Sequence, residues 1–338
     1  MENERTEQNG VLKTVVPALR IGEAFGHRNL TLVPLRGEGY QGLDYTLAQD
    51  AIAAGVLAVT EVSEAGSVPE LLANNTGVKM VLLLDGEELV GAKQNRIMNT
   101  SVLLKGESKT KIPVSCVEQG RWYHESAKFQ SGNYSPSRLR ARKSRDVTAS
   151  LRESGQARSD QGAVWQEVRE NVMAFQAASP TMAMSDVVKQ RRESFDLYVQ
   201  ALTYPEGACG VVAAVNGRFL AADIFDKPQT LERVWQRLIT GYAMDAAAQL
   251  GERNKDFSAK AASVLMEHVG GIDCTICPSV GVGGDWRFAA DDVVGQALVA
   301  DQTCVHLCVF PGDDVANRRG LTQKAIQAPS RRRTRRQQ

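Results

Sequence analysis

Apolar and polar positions alternate differently in the two halves of this 338-residue chain. In the first half the apolar runs are short. LTLVPL at 30–35 and the run at 56–62 read as strands, and between them TLAQDAIAA at 46–54 reads as a helix that Thr46 caps and Gly55 closes. Residues 68–84 read as two paired strands around the polar turn Asn74-Asn75-Thr76-Gly77, and further strands follow at 101–104 and 111–117. This series of short strands with regular turns predicts an antiparallel sandwich or barrel for 12–125.

Farther on, the spacing becomes helical. Val164, Val168, Val172 and Phe175, with Trp165 on the same side, predict a helix over 161–177 that Pro180 ends; Val188, Phe195, Tyr198 and Leu202 carry another over 185–202. The runs 210–214 and 219–224 flank Asn216-Gly217, a pair suited to a type I′ hairpin. Thr230 caps a helix that Gly251 stops, and a short helix at 259–268, a Gly-rich hairpin at 281–285 and a strand at 305–310 complete the pattern. No βαβ rhythm runs through these elements. The expected fold is α+β, an antiparallel β-sandwich or barrel-like N-terminal half packed with a mixed helical and β-hairpin C-terminal half.

Between the halves, 126–162 is rich in Ser, Gly and Arg, with Arg138, Arg140, Arg142, Lys143, Arg145, Arg152 and Arg158 against Asp146, Glu153 and Asp160. It reads as a mobile loop or linker. A solvated surface arm is the commoner explanation of such composition, and a lid carrying cations over a phosphate-bearing ligand is the sharper one. The expected organisation is a β-rich domain at 12–125, this basic segment, an α+β part at 163–322 packed on the first as one unit, and a disordered basic tail at 323–338.

Composition excludes little: 43% hydrophobic and 23% charged residues suit a chain with a sizeable core. The formal charge is +1, and without Arg331, Arg332, Arg333, Arg335 and Arg336 it is −4, so charge argues for nucleic acid only through the basic loop and the Arg tail. The first residues lack the basic and apolar regions of a signal peptide, and no apolar run approaches the roughly 18 residues of a membrane helix. A cytoplasmic protein without a membrane partner is expected, its six cysteines reduced.

Candidate chemistry concentrates in 81–122. Asp85, Glu87 and Glu88 follow an apolar run, where carboxylates bind a metal or divide acid and base roles, although Asp-Gly-Glu-Glu is also an ordinary hairpin turn. The immediate succession of Lys93, Gln94, Asn95, Arg96, Asn99 and Thr100 favours a site. Cys116 and Glu118 share a strand face, and Arg121 and Trp122 follow. A nucleophilic role for Cys116 is weighed against the commoner buried thiol, which leaves it lining the site. Asp85, Glu87, Glu88 and Glu118 are therefore the catalytic or metal-ligating candidates, with a divalent metal the conceivable cofactor. Lys93, Arg96 and Arg121 suit phosphate, Gln94, Asn95 and Asn99 suit ribose or base hydroxyls, and Trp122 suits stacking on a base.

Other groupings are weaker. Cys274 and Cys277 with Cys304, His306 and Cys308 mimic a zinc set, the last three on one strand face, but ordinary buried thiols fit the Pro278 context better. Gly270, Gly271, Gly281, Gly283 and Gly284 match no phosphate-loop motif. Asp223 and Asp226 stand between a strand and a helix, facing a cleft or capping the turn.

LDGEELVGAKQNRIMNT (84–100), IPVSCVEQGRW (112–122), VTEVSEAGSVPELL (59–72), FDKPQTLERVW (225–235) and YAMDA (242–246) resemble the ARG and rhodanese-phosphatase-superfamily-associated protein domain family. The resemblance extends from about residue 12 to 310. The family's association with ADP-ribosylglycohydrolases and phosphatases implies a place in NAD or ADP-ribose metabolism without assigning a reaction or catalytic residues. The expectation is a protein that binds or hydrolyses a nucleotide-like small molecule such as ADP-ribose. The alternative is a non-catalytic interaction module built on a β-sandwich. Convergence of the 85–122 polar residues in one concave pocket supports the first, and pairing off as salt bridges supports the second.

Overall fold

Asn216 and Gly217 adopt left-handed φ values of 52° and 72° and join Gly210–Val215 to Arg218–Phe225 in a tight hairpin, as their sequence predicts. That hairpin lies inside a nine-stranded sheet. Its order is Arg20–Ile21, Leu30–Arg36, Gly210–Val215, Arg218–Phe225, Thr303–Pro311, Val293–Ala300, Gly284–Ala289 and Thr275–Pro278, with Phe25–His27 also paired to Leu30–Arg36. The structure, a computed structural model, describes residues 10–37, 42–64, 66–251 and 256–312. The expected tail at 323–338 lies outside them.

The remaining strands of the N-terminal half form two further sheets. One has six strands, in the order Phe129–Tyr134, Glu87–Gly91, Arg96–Met98, Ser108–Cys116, Glu70–Asn75 and Leu57–Glu61. The other pairs Val102–Leu104 antiparallel and Tyr45–Leu47 parallel to Met80–Leu83. The protein is α+β, with antiparallel pairing dominant, and Leu30–Arg36 carries the first half of the chain directly into the large sheet of the second.

Three expectations change. Residues 68–84 do not form a hairpin, because Glu70–Asn75 pairs with Leu57–Glu61 and Ser108–Cys116 while Met80–Leu83 belongs to the small sheet. Asn75 turns the chain between them: its amide donates to Lys79 O at 2.8 Å and Lys105 O at 3.0 Å, and its Oδ1 accepts from Gly77 N. The basic stretch 126–162 is no linker. It forms the strand Phe129–Tyr134 and an 18-residue helix, Ser137–Ser154, that buries Leu139, Arg140, Lys143, Ser144, Val147 and Thr148. The three-to-four spacing of a buried face is present, but two of its members are cations, so the apolar pattern does not reveal it. The helix expected at 185–202 divides into Met184–Gln190 and Arg192–Ala201, with Arg191 Nε donating to Phe175 O at 2.8 Å at the break.

Helix ends agree with local chemistry in part. Gly55 closes Ala48–Ala53 at φ +73°, whereas Thr46 belongs to the preceding strand. Pro228 begins Pro228–Ala247, and the Thr230 hydroxyl meets Tyr45 Oη at 2.7 Å instead of capping. Asp245 of that helix accepts from Ser137 N at 2.6 Å, so one helix supplies the carboxylate at the other's N-terminus.

The main core lies on one face of the large sheet and takes residues from both halves: Leu82, Ile97 and Val117 pack in the same cluster as Val164, Val211, Trp235 and Phe310. The opposite face, with Val33, Val212, Ile224, Phe288 and Val309, is covered by Gly10–Val15 and Ala259–Gly270. A third cluster, including Leu71, Leu83, Met98 and Phe129, fills the space between the two smaller sheets. Gly217→Ala, which places a side chain at left-handed φ, is expected to lower stability by about 1 kcal/mol, read as a lower urea midpoint at unchanged slope.

Candidate functional site

Strand register places a row of polar side chains across the large sheet: Arg287 faces Gln296, Gln296 faces Cys308, and Cys308 faces Asp223. One rung away on the same strands are Asp285, Leu298, His306 and Phe225. The helix Ser137–Ser154 lowers Arg140 and Lys143 onto this floor, and the turn after Met80–Leu83 brings in Asp85. Arg140 Nε donates to Asp85 Oδ2 at 3.1 Å, while its Nη1 and Nη2 reach Asp223 at 3.1 and 2.6 Å. Lys143 pairs with Asp85 and donates to Asn99 O at 3.2 Å. His306 joins Asp223 Oδ1 at 3.2 Å to Ser101 Oγ at 2.7 Å, and Tyr242 donates to Asp223 Oδ2 at 2.5 Å. Thr100 donates to Asp285, which holds Arg287 through two bonds of 2.7 and 2.8 Å.

Burial pushes the carboxyls of Asp85 and Asp223 up, and the neighbouring cations outweigh it: Lys143 and Arg140 hold Asp85 low, while Arg140 and the His306 bond hold Asp223 well below the usual range. Burial likewise opposes the charge of Arg140, and the two aspartates overcome it. Both aspartates are acceptors already filled. Gly86 is required beside them, since its φ is +76° and a Cβ there would lie 2.6 Å from Arg140 Cδ.

The residues expected to form one site occupy four neighbouring environments. Asp85 is a member of the ion lattice. Glu87 accepts from Leu84 N, Ser131 Oγ at 2.7 Å and Arg237 Nη2 at 2.9 Å. Glu118 accepts from Arg121 Nε and Nη2 at 2.9 and 2.7 Å, from Asn95 N at 3.0 Å and from Thr181 Oγ1 at 2.9 Å. Arg121 also donates to Ala92 O and Asn95 Oδ1, and Asn95 continues to Ser185, so these three residues brace loops to a helix. Asn99 accepts from Ser115 Oγ at 2.6 Å and donates to Ala157 O at 3.0 Å, again a tie between segments.

Glu88 differs from the other carboxylates. It is buried, its Oε1 has no partner among the described residues, and burial, reinforced by Glu118, raises its carboxyl to about 8. Glu118, whose burial is outweighed by the Arg121, Asn95 and Thr181 bonds, is held low. The two carboxyls are thus driven apart, one acid and one base form.

The fourth environment contains Lys93, Gln94, Arg96, Cys116 and Trp122. Arg96 is fully buried, and its Nη1 donates to neutral acceptors, Gln94 O at 3.2 Å and Gln94 Oε1 at 3.1 Å. Among the described residues its Nε and Nη2 have no partner, nor has Oε2 of nearby Glu61. Trp122, 48% exposed, lies across Arg96 and Lys93 with cation-to-centroid distances of 6.0 and 5.4 Å. The Cys116 thiol contacts Gln94 Oε1 at 3.3 Å, and burial pushes it up against the pull of Arg96, the opposite of an activated nucleophile. Gln161 holds both backbone groups of Cys116 at 2.8 Å.

The zinc-like spacing dissolves at a bulge between Leu298 and Val299, which turns Cys304 to the far face of the sheet while His306 and Cys308 stay in the ion lattice. Among the described residues no group of His, Cys, Asp and Glu is placed to hold a metal. Gly283 and Gly284 lie at the hairpin expected there. Asp226 accepts from the Tyr45 hydroxyl. Sequence reasoning missed the convergence of Arg140, Lys143, Asp223, His306 and Arg287; the helical spacing of Arg140, Lys143 and Val147 and the strand spacing of His306, Cys308 and Phe310 are its available signals.

Fold and site together define an α+β protein whose sheets are joined through a buried ion lattice, with one cationic set incompletely satisfied beneath a tryptophan. The chain belongs to the ARG and Rhodanese-Phosphatase-superfamily-associated Protein domain family, ARPP-1, whose model matches residues 18–310. No curated protein and no solved structure matches it. No helix among the described residues is long and apolar enough to cross a membrane.

Arg140→Ala leaves Asp85 and Asp223 short of a buried partner and is expected to cost about 3–5 kcal/mol in urea unfolding. Glu88 in the folded chain keeps a proton that the unfolded chain, with its ordinary value of 4.5, releases. Stability from this group is complete below that value and declines as pH rises toward about 8. Glu88→Gln, which imitates the protonated acid, is expected to match the wild type below pH 4.5, to exceed it at pH 8, and to flatten the pH slope between by about one proton.

Proposed function

We propose that this chain binds a small phosphorylated molecule of nucleotide type, such as ADP-ribose, through Arg96, Lys93 and Trp122. The observation that carries the proposal is the buried Arg96 guanidinium, whose Nε and Nη2 lack partners among the described residues and whose hydrogen bonds to those residues go to neutral acceptors. A phosphate supplies two oxygens in the planar geometry that a guanidinium fits, and Lys93 adds a second positive charge beside it. The half-exposed Trp122 ring offers a face for a base, and its displacement uncovers the cations. Glu61 Oε2 supplies an acceptor for a sugar hydroxyl.

Binding without carboxylate chemistry is the form of the proposal. Asp85, Glu87 and Glu118 are engaged by cations and backbone donors, so activating a water would require breaking structural pairs. Their pairing favours the non-catalytic reading for that part of the original set, while the Arg96 group retains the ligand reading.

Thermal unfolding and tryptophan emission with ADP-ribose, ADP, ribose 5-phosphate and adenosine test this. ADP-ribose and ADP are expected to raise the melting temperature and quench emission, adenosine to do neither, Arg96→Gln to remove both effects, and Trp122→Phe to remove the quenching. Unchanged melting and emission across the panel would refute the proposal.

A further inference from the structure

The large sheet ends at the short strand Thr275–Pro278, where the register sets Ile276 opposite Trp286 and Trp286 opposite Ala297. These side chains point away from the ion lattice: Trp286, Ala297 and Val299 belong to the cluster on the sheet's other face, with Val11 and Ile276 packed against it. The helices Gly10–Val15 and Ala259–Gly270 do not cover this end completely. A cleft of about 930 Å³ remains there, walled by Val11, Ile276, Pro278, Val299 and Ala300, with Trp286 in its lining.

Trp286 is 3% exposed, yet its indole N–H donates to no group among the described residues. A buried indole N–H ordinarily finds a partner. This nitrogen is not sealed in the interior, and the space beside it is the cleft. Gly284 keeps it uncovered, since a Cβ on Gly284 would lie 3.1 Å from Trp286 Nε1 and 3.3 Å from its Cδ1, tighter than ordinary packing. The turn Asp301-Gln302 forms the rim. Asp301 is the single charged residue of the lining, and no cation among the described residues pairs with it. Gly284 pairs with Val299, and Asp301 follows two residues later, about 7 Å along the sheet. One ring with a polar group at either end spans such a distance.

We infer that this cleft is a second ligand site, separate from the Arg96 set, and that it takes a small apolar amine carrying a carbonyl acceptor. The carbonyl accepts from Trp286 Nε1, the ring rests against Ile276 and Val299, and the ammonium faces Asp301. Apolar walls with a few placed polar groups are the usual make-up of a small-molecule site. No cation lines the walls, so the cleft disfavours the phosphorylated ligands proposed for Arg96. The acceptor contributes more than the charge, because Asp301 is exposed and screened by solvent whereas Trp286 is not.

The probe is para-(aminomethyl)benzamide, with para-isopropylbenzylamine lacking the carbonyl and para-carbamoylbenzoate exchanging the amine for a carboxylate. In the full chain, isotope-labelled tryptophan gives four indole N–H resonances, one per tryptophan, and Trp286→Phe assigns the one at issue. Titration with the probe is expected to move the Trp286 resonance and to leave that of Trp122 in place. The isopropyl compound is expected to bind about tenfold more weakly and the carboxylate about threefold more weakly. Gly284→Ala, which sets a methyl group over the indole nitrogen, is expected to weaken the probe about tenfold, and Asp301→Asn about threefold. The other three indole resonances report whether each variant is folded. Arg96→Gln is expected to leave the titration unchanged, which separates this site from the nucleotide proposal. The inference is overturned if the probe leaves the Trp286 resonance unmoved, if the isopropyl compound binds equally well, or if Gly284→Ala and Asp301→Asn both bind as the wild type does.

Discussion

Arg140 holds two carboxylates that belong to different parts of the chain, Asp85 at the turn after Met80–Leu83 and Asp223 in the middle of the large sheet. Everything around it is arranged to make that contact possible in a dry interior. Gly86 gives the guanidinium stem room, Tyr242 and His306 occupy the remaining acceptor positions of Asp223, and Lys143 compensates the second oxygen of Asp85. Each charge would be prohibitive alone, and together they tolerate burial because nearly every lone pair is directed at a donor. The register of the large sheet, the position of Ser137–Ser154 and the path of the DGEE turn are all tied to this arrangement.

That constraint changes the chemical meaning of the acidic residues. A carboxylate between two cations is a poor proton acceptor and has no free oxygen for a metal, so burial of Asp85 or Glu118 points to architecture. Chemical availability resides instead in the groups that remain incompletely matched among the described residues, the Arg96 guanidinium and the Glu88 acid. They lie in different environments, and the distinction between satisfied and unsatisfied polar atoms separates candidate ligand contacts from structural ones better than residue type does.

Local signals in the sequence were legible where geometry is decided locally. Asn216-Gly217 specified its hairpin, Gly55 its helix end, and the Val164, Val168 and Val172 stripe its helix. The density of polar residues in 81–122 was also legible, and the structure buries most of them, because strands that carry Asp, Glu, Asn and Arg into an interior need partners. The partners themselves were not legible. Arg140 and Lys143 belong to a segment whose composition is that of a solvated arm, and nothing in the basic stretch identifies Asp85 or Asp223 as the acids it meets. The position of Cys304 depended on one bulge, which reverses a strand face without leaving a mark in residue spacing.

The span of the Arg140 contacts also has a kinetic meaning. Asp85 lies 55 residues before Arg140 and Asp223 lies 83 after it, so loop closure over both intervals precedes any electrostatic return. While either acid is missing, docking the helix removes a guanidinium from water without full compensation. Partly assembled forms therefore carry an energetic penalty that the complete structure lacks, and the ion lattice acts as a coincidence detector, admitting the helix to the interior only when both sheets have arrived.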